Sequence, residues 1–128
     1  MDDIERRQQG RAVRAAVLGE AHVARSEAKT NAFRADFVDF LTRIAWGDVW
    51  TRPGLARRER SLITLAMLVA GSRWEELPLH LRGALNNGVT VEEIKEVLLH
   101  GAVYAGVPAA NTAFAIANEV LEKEGKLG

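Results

Sequence analysis

The chain has no cysteine. That rules out disulfides, thiolate metal sites and any thiol redox cycle. Charge of one sign is also missing: 17 basic residues face 17 acidic ones, so no net field recruits nucleic acid or an anionic membrane. The longest apolar stretch, 62–71, is interrupted by Thr64 and falls far short of the roughly 20 residues a bilayer span needs. Sustained alternation of apolar and polar residues is absent, which removes the main signal for strands. Three histidines are present, but no HxH, HxxxH or HExxH spacing occurs, so no metal site is expected. The glycines of GAVYAG, 101 and 106, follow no strand and form no phosphate loop. Aromatic residues and arginines are not interleaved on one face, as a nucleic-acid platform requires. The opening segment MDDIERRQQG is charged and has no apolar core. It is not expected to be a signal peptide, and the expected location is the cytoplasm.

What is present is a chain of 128 residues, 48% apolar, with a mean hydropathy of -0.08. This is the profile of one globular domain, expected to cover residues 1–128. The chain reads as about six helices separated by short breaks. The first covers 2–18, with Ile4, Val13, Val17 and Leu18 apolar, and Gly19 ends it. The second covers 31–46, where Phe33, Phe37, Phe40, Leu41 and Ile44 fall on one helical face. After a Thr51-Arg52-Pro53-Gly54 turn, the third runs over 57–70. Its second half is apolar nearly all round and is expected to be covered on most sides. Ser72 and Glu75 have the spacing of a capping box; Pro78 either kinks the helix that follows or sets its start nearer Glu75. Asn87-Gly88 closes that helix. Thr90 and Glu93 form a cleaner capping box for a helix to about residue 105, with Ile94, Val97, Leu98 and Val103 inward. Pro108 opens the last helix, which runs to about residue 124 and carries Phe114, Ile116, Val120 and Leu121. These apolar faces are large for the chain, and a buried subunit interface is expected.

The candidate chemistry is sparse. Glu76 and His80 lie four apart and share a helix face. A carboxylate beside an imidazole makes a tunable acid or base near neutral pH, although the same spacing also describes an ordinary surface pair. His100 and Tyr104 are again four apart; they fit a proton donor and a phenol in a pocket, or a satisfied pair at a helix interface. His22 lies in LGEAHVARS, a segment poor in apolar periodicity, where it folds over a pocket or caps a loop. Arg outnumbers Lys 13 to 4 and lies entirely at or before Arg82. Codon usage explains such a bias, yet the planar guanidinium also fits carboxylates in a way that Lys does not. Arg52, Arg57, Arg58 and Arg60 form the densest cluster. Arg57 and Arg58 read as a solvated helix start, and Arg60, one turn from the apolar half, is the better candidate grip for a substrate carboxylate.

The segments AVLGEAHVARS, DFLTRIAWGDVWTRPGLARRERSLITLAML and LHLRGALNNGVTVEEIKEVLLHGAVYAGVPAANTAF resemble the gamma-carboxymuconolactone decarboxylases, over about residues 10 to 122. The wider superfamily is the alkylhydroperoxidase-D-like helical fold. Its redox members carry CxxC followed one turn later by histidine; here Arg73 and Glu76 stand at those cysteines and His80 is kept. Ser61 stands where the redox branch has a glutamate, which leaves Glu76 as the carboxylate nearest His80. The resemblance implies cofactor-free decarboxylation of a dicarboxylate lactone in protocatechuate breakdown, the beta-ketoadipate pathway. It implies His80 as proton donor, oriented by Glu76, and Arg60 and Ser61 on the substrate. Trp46, Trp50 and Leu65 would form an apolar wall, and Tyr104 and His22 would add contacts, from a neighbouring subunit if sites are shared. It also implies a homo-oligomer, a trimer or a trimer of dimers, with no membrane or nucleic-acid partner. Another cofactor-free lyase or isomerase acting on an acidic lactone, or a non-catalytic helical oligomer that binds or scaffolds, remains compatible with the same residues.

Overall fold

A computed structural model describes residues 1–128. Every regular element is helical: α1 Asp3–Leu18, α2 Glu20–Lys29, α3 Ala35–Phe40, a π-helix Leu41–Val49, α4 Arg57–Ala70, α5 Leu77–Asn86, α6 Val91–Tyr104 and α7 Val107–Lys123. No helix is long and apolar enough to cross a membrane. Contacts gather these elements into two compact units, Met1–Ala56 and Arg57–Gly128.

In the first unit Asp2 caps α1 by accepting the Glu5 N–H at 2.8 Å. Gly19 ends α1 with φ 96°, a conformation favoured by glycine. The segment around His22 is not a loop but the helix α2. Its periodicity is carried by polar residues: His22, Arg25, Ser26 and Lys29 fall at helical spacing. The expected helix 31–46 is divided. Asn31 caps a turn by accepting the Arg34 N–H at 3.2 Å, α3 follows, and the backbone then widens into a π-helix that closes with Trp50 N–H on the Ala45 carbonyl at 3.0 Å. The helical spacing of Phe33, Phe37 and Phe40 does not mark a buried face, because all three are exposed. The π-helix packs against α1 with main chain close to main chain, at Gly10 and Gly47.

The second unit has a core built from Leu65 and Val69 of α4, Leu77 and Leu81 of α5, and Ile94 and Leu98 of α6. α7 closes it with the small residues Ala113 and Ala117. The Thr90 capping box forms in full, with the Glu93 N–H on Thr90 Oγ1 at 3.1 Å and the Thr90 N–H on Glu93 Oε1 at 2.9 Å. The Ser72 box does not. Ser72 turns into a left-handed conformation, φ 55°, and α5 starts five residues later at Leu77, with Pro78 in its first turn. Proline is tolerated there because its missing N–H has no intrahelical partner to lose. Asn87 and Gly88 close α5, and Gly106 precedes α7.

Two apolar expectations are corrected here. α4 is not covered on most sides in the single chain: Leu65 and Val69 are buried, while Ile63 and Met67 are exposed. Val103 does not point inward and is 75% exposed. Both belong to an apolar surface of α4 and α6 that also carries a hollow lined by Ala66, Ala70, Val97, His100, Gly101 and Tyr104.

Candidate active site

His80 is the fourth residue of α5 and is half-buried. Its helix is anchored by Leu77, Leu81 and Ala84, all fully buried, so the imidazole projects from a fixed element. Glu76 is the N-cap residue of α5, is exposed, and gives the helix no side-chain cap. Its link to His80 is made by the main chain, where the His80 N–H donates to the Glu76 carbonyl at 3.2 Å. The Glu76 side chain is exposed at the start of the helix. The first turn of α5 has no side-chain cap, and the positive end of the helix dipole lies beside His80.

Arg60 is half-buried on α4, next to Ser61. Ser61 is buried, and its hydroxyl accepts Asn87 Nδ2 at 2.9 Å. This bond ties α4 to the end of α5, so Ser61 has a structural partner within the unit. Arg58 pairs with Glu59 and with Glu93, and Arg57 is exposed, as expected of a solvated helix start. His100 and Tyr104 stack with ring centroids 5.0 Å apart. Tyr104 is 81% exposed, so the pair lies on the open α4–α6 surface rather than in an enclosed site.

In the first unit Trp46 and Trp50 stack with centroids 4.8 Å apart and planes at 23°. Both come from the π-helical stretch and its C-cap; Trp46 is buried and Trp50 half-buried. His22 lies in a polar hollow with Arg25, Ser26, Lys29 and Arg34. The ring is held below the usual histidine pKa, first by burial and then by the nearby charges of Arg14 and Arg25. The last four residues of that group, and Arg14 beneath them, were not legible as a site from apolar periodicity. The 22, 25, 26, 29 spacing was the available signal.

A small all-helical protein with a half-buried imidazole on a rigid helix and no thiol fits proton-transfer chemistry rather than peroxide chemistry. The model of the Carboxymuconolactone decarboxylase family matches residues 35–119, and the chain belongs to that family. It is 52% identical over 125 residues to the 4-carboxymuconolactone decarboxylase of Acinetobacter baylyi, covering 98% of this chain and 93% of the relative. It is 42% identical over 122 residues to the nitrosuccinic acid decarboxylase of Metarhizium robertsii, covering 94% of this chain and 85% of that one. A third relative, a 4-carboxymuconolactone decarboxylase of Pseudomonas putida, is 48% identical over 48 residues, which is all of that sequence and 38% of this one.

Proposed function

We propose that this chain is a carboxy-lyase that converts gamma-carboxymuconolactone to beta-ketoadipate enol-lactone and CO2. The single observation that carries the reading is the 52% identity, over nearly the whole of both chains, to a relative of that activity. The family match at 35–119 runs through both units, which supports treating residues 1–128 as one functional domain.

The chemistry asks little of a cofactor. The carboxylate leaves from a ring carbon whose C–C bond electrons pass through the ring double bond onto the lactone carbonyl. The dienolate so formed takes one proton on the carbon beside that carbonyl. Atoms balance as one CO2 lost and one proton gained, and the substrate is its own electron sink. His80 delivers the proton, and Glu76, at the open end of α5, exchanges it with solvent. The positive end of the α5 dipole stabilises the developing oxyanion, and Arg60 holds a substrate carboxylate as a planar fork. A second substrate class is favoured by the relative that decarboxylates nitrosuccinic acid, at 42% identity. Like the lactone carbonyl, a nitro group can receive an electron pair. The greater likeness to the lactone enzyme ranks the lactone first. Turnover of the lactone, generated in situ, tests the assignment.

An assembled state is supported by the exposed apolar residues. Phe33 is 94% exposed, Met67 67%, Val103 75% and Tyr104 81%. Such surface on a single chain is characteristic of interfaces, and we expect a homo-oligomer of three or six copies acting in the cytoplasm. Light-scattering mass at micromolar concentration should give a trimer or hexamer; a monomer there would remove the interface reading.

A further inference from the structure

The hollow on α2 lies before the segment matched by the family model, and the roles proposed above for His80, Glu76 and Arg60 do not use it. It encloses about 230 Å3. His22, Arg25, Ser26 and Lys29 come from one face of α2, and Arg34 from the start of α3. Arg25, Lys29 and Arg34 join no ion pair, whereas Arg6, Arg7, Arg11 and Arg43 of the same unit do. Arg11 holds both Glu27 oxygens at 2.8 and 2.9 Å and also pairs with Glu20. Arg7 and Arg43 share Asp39. The neighbouring carboxylates are therefore committed elsewhere.

Arg14 adds a second, independent feature. It is 8% exposed and joins no salt bridge, although the charge of Glu27 acts on it. One of its N–H groups donates to Ser26 Oγ at 3.2 Å. Burial lowers its pKa, the sign of a cation taken from water without full compensation. Because Ser26 Oγ accepts from Arg14, its own proton is free to be donated into the hollow. Three cations thus line the hollow beside an imidazole whose pKa is lowered by burial and by the charges of Arg14 and Arg25. An anion is the missing counter-charge.

We propose that this hollow is a binding site for a small dicarboxylate. Arg25 and the Ser26 hydroxyl take one carboxylate, Lys29 and Arg34 take the other, and Arg14 acts as a positioning residue that orients Ser26. No Phe, Tyr or Trp side chain lines the hollow, so it lacks the broad stacking surface a nucleic acid would use. That the anion carries two carboxylates rests on the decarboxylase reading; that the site takes an anion does not.

The test follows the His22 ring by NMR during titration of the intact protein with succinate, with inorganic phosphate, and with chloride at matched ionic strength. Saturable succinate binding is expected, raising the His22 pKa by about one unit as the opposite charge arrives. The exposed double variant R25Q/K29Q should weaken succinate at least tenfold with an unchanged melting curve. Ser26→Ala should weaken it as well, read beside its own melting curve because it also removes the acceptor of buried Arg14. A succinate response no larger than that of chloride overturns the site. Phosphate binding more tightly than succinate overturns the dicarboxylate assignment. The readout is independent of turnover. A chain that binds succinate here but leaves the lactone untouched refutes the decarboxylase reading and not the anion site. The reverse result refutes only the anion site.

Discussion

Replacing His80 by alanine lowers turnover by about a hundredfold or more, the usual contribution of a positioned general acid, and leaves the fold intact. The effect on folding should be slight because His80 is only half-buried, and alanine is the best helix former. The effect on rate is large because the dienolate is quenched only if a proton arrives at one carbon, and water offers no orientation there. Since the proton moves in the transition state and not in the bound ground state, kcat and kcat/KM should fall together while KM stays near its starting value. A hundredfold loss corresponds to about 3 kcal/mol of barrier. Glu76→Gln should cost much less, because that carboxylate is exposed and linked to His80 through the main chain. Steady-state rates of the purified variants, beside their melting curves, decide the matter. A loss under about threefold with normal melting would remove His80 from the mechanism.

The second large effect concerns stability and lies far from any proton transfer. Gly10→Ala should destabilise the protein by about 3 kcal/mol, at the upper end of overpacking costs, and lower the melting temperature by roughly 10 °C. A Cβ on Gly10 would collide with the Thr42 carbonyl oxygen and stand 2.8 Å from the Gly47 nitrogen. A Cβ on Gly47 would collide with the Arg6 carbonyl oxygen and stand 3.2 Å from that of Thr42. All these neighbours are main chain, which cannot swing aside as a side-chain tip can. The about 1 kcal/mol that alanine gains over glycine in a helix offsets only part of this. Gly54→Ala is the control, since a Cβ there meets nothing within 4 Å. Thermal and urea melts of the two variants measure the difference; equal stability of Gly10→Ala and wild type would mean that α1 and the π-helix are not in this close register.

The same glycines show where the sequence was readable and where it was not. Helix ends written in local chemistry could be located in advance. The Thr90–Glu93 box, the Asn87-Gly88 stop and Pro108 at the start of α7 all act within one turn, so local spacing suffices to find them. Ser72 failed because a capping box also needs a helix to begin at once, and Pro78 delays that start. The π-helix was hidden because Phe37, Phe40, Leu41 and Ile44 fit a 3.6-residue period as well as any α-helix. Its close packing on α1, at Gly10 and Gly47, lies outside that local window. The open faces of α4 and α6 were misread for a different reason. Apolar spacing records that a surface avoids water, without saying whether the cover is this chain or another, so Met67 and Val103 looked like core. α2 was missed because its pattern is polar, with cations and a histidine at the spacing where most helices place leucine. At the candidate site, His80 and Glu76 could be chosen by spacing, but their main-chain link and the uncapped turn beside them required the structure.

The most direct measurement is the fate of gamma-carboxymuconolactone generated in situ from carboxymuconate by a cycloisomerase, with enol-lactone and CO2 followed together and the spontaneous rate subtracted. The account predicts equal amounts of both products, formed at a rate proportional to this protein and lost with His80→Ala. A folded protein that leaves the spontaneous rate unchanged would contradict it.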